Sequence, residues 1–178
     1  MKTQETTKGF AVLSIAALLV KILSLLYVPL LYKIIGEEGY GVYYASYSVF
    51  VFIYIVTTTG IPTAISKQVT ELISVNNYKD AVKTFKIARV IMIIAGSLMT
   101  LLMIIFSKNL AAYVEYDKAN YSIIALAPTI LFSAVRSAYM GYYQGQDNMT
   151  PRAVSQVIEQ IINVIFSLLF AYLWVSYG

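Results

Sequence analysis

Residues 136–163, RSAYMGYYQGQDNMTPRAVSQVIEQIIN, put ionisable and amide side chains in a row inside otherwise apolar sequence, around a polar turn holding Gly145, Asp147, Asn148 and Pro151. The half after the turn reads as a helix starting near Pro151. Arg152, Gln156, Glu159, Asn163 and Ser167 recur in it at spacings of four, three, four and four, which stacks them on one face. Leu, Ile, Val and Phe fill the remaining circumference. A helix with that cross-section fits between lipid or protein on one side and a wet cavity on the other. Function is therefore expected here.

The surrounding composition agrees. Of 178 residues 59% are hydrophobic and only 12% charged, against about 25% charged in soluble domains. The chain is expected to be an all-α integral membrane protein. It has no cysteine and no histidine, which removes thiol chemistry, disulfides, imidazole bases and nearly all zinc or haem sites. No P-loop, dinucleotide glycine signature, paired acids or serine-nucleophile motif occurs, so neither an enzyme nor a cofactor or metal site is expected. The net charge of +4 comes from scattered basic residues, which serve membrane orientation rather than nucleic-acid binding.

A spanning helix takes about 20 apolar residues, and five stretches qualify: 9–35, 40–60, 85–106, 121–141 and 153–175. The first is too long for a signal-peptide core and lacks a clear cleavage site, so it counts as a span. Together they predict one helical bundle over 1–178. Lys2, Lys8, Lys79, Lys83, Lys86, Arg89 and Arg152 collect on one side, and Lys33, Lys108 and Lys118 on the other. That asymmetry predicts a cytoplasmic N-terminus and an outer C-terminus, with Trp174 and Tyr177 in the outer aromatic belt. Thr63 to Val75 reads as an amphipathic segment turning toward the cytoplasm, and residues 76–86 as a basic loop attracted to anionic head groups.

Polar residues within the spans are the candidate site. Lys21 lies near the middle of the first, with Ser14, Ala17 and Ser24 on its face. A mid-membrane lysine costs about 2.5 to 3.5 kcal/mol on insertion scales, so it faces water or a partner, snorkels, or pairs with an acid. Tyr40, Tyr43, Tyr47, Tyr54 and Thr58 form a stripe on the second span, suited either to a ligand or to helix packing. Thr57-Thr-Thr-Gly-Ile-Pro62 then breaks that helix. The fourth span carries Thr129, Ser133, Arg136 and Ser137 on one face. Arg136 either anchors the loop or contacts an anion; Glu159 is protonated, paired with Arg136 or Arg152, or a proton-coupling group.

The residues resemble a known family. Lys21, Tyr27-Val-Pro29, Lys33-Ile-Ile-Gly36, Gly39-Tyr-Gly41, Gly60-Ile-Pro62-Thr-Ala-Ile-Ser66-Lys, Gly141-Tyr-Tyr-Gln-Gly145, Met149-Thr-Pro151-Arg-Ala-Val-Ser-Gln156 and Glu159-Gln160 are similar to the polysaccharide-biosynthesis and lipid-flippase family. The match is to its sporulation-protein branch, related to the lipid II flippases. The resemblance covers essentially the whole chain. It implies most of one lobe of a two-lobe transporter of multidrug-exporter-like fold in the bacterial inner membrane, missing its C-terminal lobe. It further implies alternating access and a central cationic cavity for a polyprenyl-pyrophosphate-linked saccharide. Lys21 falls at a cationic position of the first helix and inherits an anion contact. The next such position is Tyr27, and the second-helix arginines are absent between Tyr47 and Thr59, which implies lipid-linked sugars in general. Sugar contacts are then expected from Tyr43, Tyr47, Tyr54, Gln156 and Asn163, with Arg136 or Arg152 assisting Lys21 and Glu159 alongside. Partners are the lipid-linked saccharide and membrane lipids, without nucleic acid. A cation-coupled multidrug exporter of the same fold and a truncated, non-transporting scaffold are the other readings.

Overall fold

A computed structural model describes the backbone from Lys2 to Tyr177 and side chains from Gly9 onward, apart from Phe10, Trp174 and the last three residues. Six helices follow in order: α1 (Lys2–Thr58), α2 (Ile61–Ser74), α3 (Tyr78–Ile105), α4 (Ser107–Tyr113), α5 (Ala119–Gly145) and α6 (Thr150–Tyr177). No strand occurs among the described residues. An all-helical chain satisfies its backbone donors within each segment, as a bilayer demands.

The 57 residues of α1 would reach about 85 Å as one straight rod, far beyond the ~30 Å of a hydrocarbon core. Two helices in fact meet inside it at Gly36, where φ is 71° and ψ −178°, a conformation open essentially only to glycine. A second break at Gly60 (φ 82°) separates α1 from α2, with Pro62 in the first turn beyond. Nothing lies within 4 Å of where a Cβ would stand on Gly36 or Gly60. Backbone angle, not space, requires glycine at both. Among the described residues four helical stretches are long and apolar enough to cross a membrane, the first counted as one from Ala11 to Ser74. Gly36 falls inside it, between the stretches 9–35 and 40–60 that were expected as separate spans.

Polar segments read as loops are more helical than expected. The basic stretch 76–86 is a loop only as far as Asn77, because the Asn77 side chain accepts from the Asp80 N–H (3.3 Å) and donates to the Asp80 carboxylate (2.7 Å). This cap starts α3 at Tyr78 and places Lys79, Lys83 and Lys86 on its first turns. Between α3 and α5 the chain forms the short α4 rather than a bare loop. The side chains of Trp174 and Tyr177, expected in the outer belt, lie outside the described residues.

The chain divides into two compact units, one formed by 1–41 with 147–178 and the other by 42–146. In the second unit α5 is central. Its buried residues Ala119, Ile123, Ala127, Ile130, Ala134, Ala138, Gly141 and Gly145 step by three or four along one face. Most are small, which matters in lipid: apolar surface gains nothing by leaving acyl chains, so helices associate through close packing. Antiparallel α3 meets this face where Gly96 stands so close that a Cβ would come within 2.8 Å of Ala134 Cβ. One turn on, the Thr100 hydroxyl donates to Ala127 O at 3.1 Å. Parallel α2 meets it at Gly141 and Gly145, where a Cβ would lie 2.7 Å from Pro62 O and 2.7 Å from Val69 Cβ respectively. The Thr70 hydroxyl stands at that contact 2.9 Å from Gly145 O and 2.9 Å from Ser66 O of its own helix, one proton shared between the two carbonyls. The segment read as turning toward the cytoplasm is thus seated on α5 through Ile65 and Val69, leaving Lys67 and Glu71 exposed. Ala45 and Val49 of α1 join Met103, Ala111 and Ile123 in the other half of the core.

In the first unit α6 pairs with the first half of α1. A Cβ on Gly9 would stand 3.2 Å from Met149 Cγ, and Gln160 Nε2 donates to Ser24 Oγ at 3.1 Å. Residue numbers rise together along the contact, so the two helices are parallel.

Candidate functional site

Lys21, Gln156, Glu159 and Asn163 all belong to the α1/α6 pair of the first unit. Contact between these helices runs through Ala16, Ser24 and Tyr27 on α1 and Ala153 and Gln160 on α6, and it fixes which way the other faces point. Val12, Ile15 and Leu19 line an open apolar groove of about 290 Å³ with Val154, Val157 and Ile158. At 100° per residue Lys21 lies about 90–110° from the α1 contact direction, on the side away from that groove. Arg152, Gln156, Glu159 and Asn163 lie on the same far side of α6. The pair thus has one greasy flank and one polar flank.

Hydrogen bonding along this pair is partly internal. Ser24 relays its bond from Gln160 to its own helix, donating to Val20 O at 2.9 Å. Ser167 donates to Asn163 Oδ1 at 2.9 Å. Among the described residues of this pair, Gln156 Oε1 and the hydroxyl of Tyr27, itself only 4% exposed, are buried and make no hydrogen bond. Lys21, Glu159 and Asn163 are exposed.

Tyr43, Tyr47, Tyr54 and Arg136 belong to the second unit. The tyrosine stripe is a continuous aromatic ladder: Tyr43 stacks on Tyr47 at 6.0 Å, Tyr47 leans on Phe50 at 6.0 Å, and Phe50 stacks on Tyr54 at 6.1 Å. Phe50 and Tyr54 pack against the core while Tyr47 stays 44% exposed. Tyr40 falls in the first unit, edge-on to Tyr32 at 5.4 Å. Thr58 turns back on its helix, donating to Tyr54 O at 2.7 Å, and Thr57 does likewise to Ile53 O. On α5, Ser137 is buried and donates to Ala134 O, Thr129 is exposed, and Arg136 is half-buried. Because α5 continues to Gly145, Arg136 sits about two and a half turns from its end, deeper than a span closing at Gly141 suggests.

Three contacts escaped the sequence reading. Gln160 stands out in the sequence only as part of the family motif, yet it donates a hydrogen bond from α6 to Ser24 of α1. Gly141 and Gly145 read as punctuation, although Gly-x-x-x-Gly in an apolar helix is the spacing of a close helix contact. Arg89 read as an orientation charge. Its guanidinium lies 5.7 Å from the centre of the Phe85 ring and donates to the Tyr139 hydroxyl at 3.3 Å. Phe85 also packs on Tyr139 and Tyr142, so a cation–aromatic clasp ties α3 to α5. Among the described residues no group of three or more acids is placed to hold a metal ion.

Helices that cross a membrane, joined through small-residue faces and carrying a polar flank, define a multi-pass helical membrane protein. The chain belongs to the polysaccharide biosynthesis protein family, whose pattern it matches over residues 6–177. It is 30% identical over 158 residues to stage V sporulation protein B of Bacillus subtilis, covering 88% of this chain and 30% of that protein. It is 26% identical over 164 residues to the lipid II flippase MurJ of the same organism, covering 87% of this chain and 30% of MurJ. The chain therefore spans about 30% of the length of these relatives. No solved structure gives a significant match.

Proposed function

We propose that this chain is the N-terminal portion of a flippase that moves a polyprenyl-pyrophosphate-linked saccharide across the bacterial inner membrane by alternating access. Lys21 contacts the pyrophosphate, and the α6 row offers amides and a carboxylate to the sugar. Membership of the family supports the class, and one relative is by name a lipid II flippase. The observation that carries the site is the two-sided α1/α6 pair, with Lys21 and the Gln156–Asn163 row on one flank and apolar side chains on the other.

The physics is simple. A cation and a phosphate oxygen about 4 Å apart attract by roughly 4 kcal/mol at an effective dielectric of about 20. Such a bias favours one cavity state when loaded, which is what alternating access needs. Gln156 Oε1, buried and without a hydrogen bond, is an acceptor suited to a sugar hydroxyl. On this reading the N-terminus is cytoplasmic, as the lysine and arginine distribution predicts, and the rest of the transporter supplies the opposing lobe.

Complementation tests this. In a strain depleted of its own flippase, the full-length gene carrying Lys21→Ala should fail to restore growth, while Lys21→Arg should restore it in part. Normal growth of Lys21→Ala at normal expression removes the pyrophosphate contact.

A further inference from the structure

In the second unit an arginine stands in the packing face of a membrane helix. At 100° per residue Arg89 lies about 20° from Gly96, where α3 meets Ala134 of α5. Two aromatic side chains fix its direction, since the half-buried guanidinium sits 5.7 Å from the centre of the Phe85 ring and donates to the Tyr139 hydroxyl at 3.3 Å. Lys86, three residues earlier and exposed, points about 60° further round. Thr84, Ala88 and Ile91, which line the side of α3 facing α2, lie about 100–160° round in the other sense. Arg89 and Lys86 therefore share the flank of α3 away from α2.

No acid of this unit shares that flank. Asp80 stands about 180° round α3 from Arg89 and is held by Asn77 at 2.7 Å. Glu71 belongs to α2, Glu115 and Asp117 follow α4 beyond the far end of α3, and α5 has no acid. A guanidinium carries five N–H donors, and one here goes to a neutral phenol. Tyr139, accepting from Arg89, keeps its own hydroxyl proton to donate. Two donors thus converge where no carboxylate of this unit, among the described residues, receives them. Their level matters as well. From Val90 to Ile105 α3 has no charge, and that length rises about 24 Å, most of the ~30 Å hydrocarbon core. Arg89 stands at its boundary, close to the level of lipid phosphates, where a cation calls for an anion.

We propose that Arg89, the Tyr139 hydroxyl and Lys86 form a binding site for the phosphate of a membrane lipid, on the flank of α3 and α5 away from α2. The remaining N–H groups of the guanidinium and the phenol proton donate to phosphate oxygens, giving charge-assisted bonds, and Lys86 adds a second positive charge one turn nearer the helix start. Phosphate on a lipid tail is common to bilayer phospholipids and to a polyprenyl-pyrophosphate-linked cargo. A phospholipid would occupy the site whatever the protein carries; occupation by the cargo rests on the transport reading and extends it to the second unit.

Native mass spectrometry of the full-length protein in mild detergent tests this and separates the two sources. The probes are phosphatidylglycerol and polyprenyl pyrophosphate, each paired with its phosphate-free counterpart, diacylglycerol or polyprenol. Arg89→Gln should weaken binding of a phosphate-bearing probe about tenfold and leave its counterpart unchanged; the probe that responds is the occupant. Tyr139→Phe should weaken the same probe about threefold. Lys86→Gln lies outside the aromatic clasp and serves even where Arg89→Gln does not fold. It should cost about threefold, whereas Lys67→Gln, which removes the same charge from α2, should cost nothing. Unchanged affinity of Arg89→Gln for both phosphate-bearing probes overturns the proposal. So does an equal loss for the phosphate-free lipids, or an equal effect of Lys86→Gln and Lys67→Gln, which would leave only surface charge.

Discussion

Replacing Gly141 by alanine tests the packing that holds the second unit together. An alanine Cβ at this position would meet Pro62 O at 2.7 Å, Ile65 Cβ at 2.9 Å and Pro62 Cα at 3.0 Å, whereas ordinary contact begins at 3.4 Å. Two of the three obstructing atoms are backbone, so no rotamer change relieves them and α2 has to back away as a body. Its retreat loosens Val69 on Gly145 and stretches the 2.9 Å bond from Thr70 to Gly145 O. Overpacking of this kind costs about 1–3 kcal/mol, and a hydrogen bond between membrane helices is worth about 0.6 kcal/mol. Alanine returns up to ~1 kcal/mol through its better helix propensity. The balance is a net loss of about 1–2 kcal/mol, larger for Gly141→Val. Denaturant titration of the purified protein in mixed micelles, followed by circular dichroism, measures it. A Gly141→Ala protein as stable as the parent, or more so, would mean that α2 does not sit on this glycine.

Gly36→Ala should cost about 1–3 kcal/mol in the same assay although there is room for the methyl group, because φ of 71° strains any residue with a Cβ. Ser24→Ala and Gln160→Leu, each alone and together, should give a coupling energy of about 0.6 kcal/mol and no more than about 1.7; zero coupling would deny their hydrogen bond. Thr70→Val should lose up to about 1 kcal/mol while Thr70→Ser keeps most of the stability, since only the hydroxyl reaches Gly145 O. Arg89→Lys should destabilise by about 0.5–1 kcal/mol, because an ammonium replaces the planar group over Phe85, and Tyr139→Phe should reduce that difference.

Local chemistry alone settled a good deal. Runs of about 20 apolar residues can be nothing but buried or membrane helix, so the all-helical, membrane-spanning character follows from composition and length, whereas five apolar stretches were expected and four helical stretches of spanning length are found among the described residues. Gly36 and Gly60 announce breaks because no other residue is at ease there, and the α6 row stands out because amides and a carboxylate in such sequence need a reason. Other features needed two helices at once. The stretch 76–86 is the exception, a basic loop by composition whose helix start is local, since Asn77 caps the Asp80 N–H three residues on. Gly145 looked like a turn residue, and only the approach of Val69 makes it a packing position. Arg89 looked like one more orientation charge, and only α5 supplies the tyrosine that holds it. Periodicity reports which residues share a face of one helix. Which neighbour that face meets is set by contacts between segments far apart in sequence, and these decided that Lys21 and the α6 row share a flank.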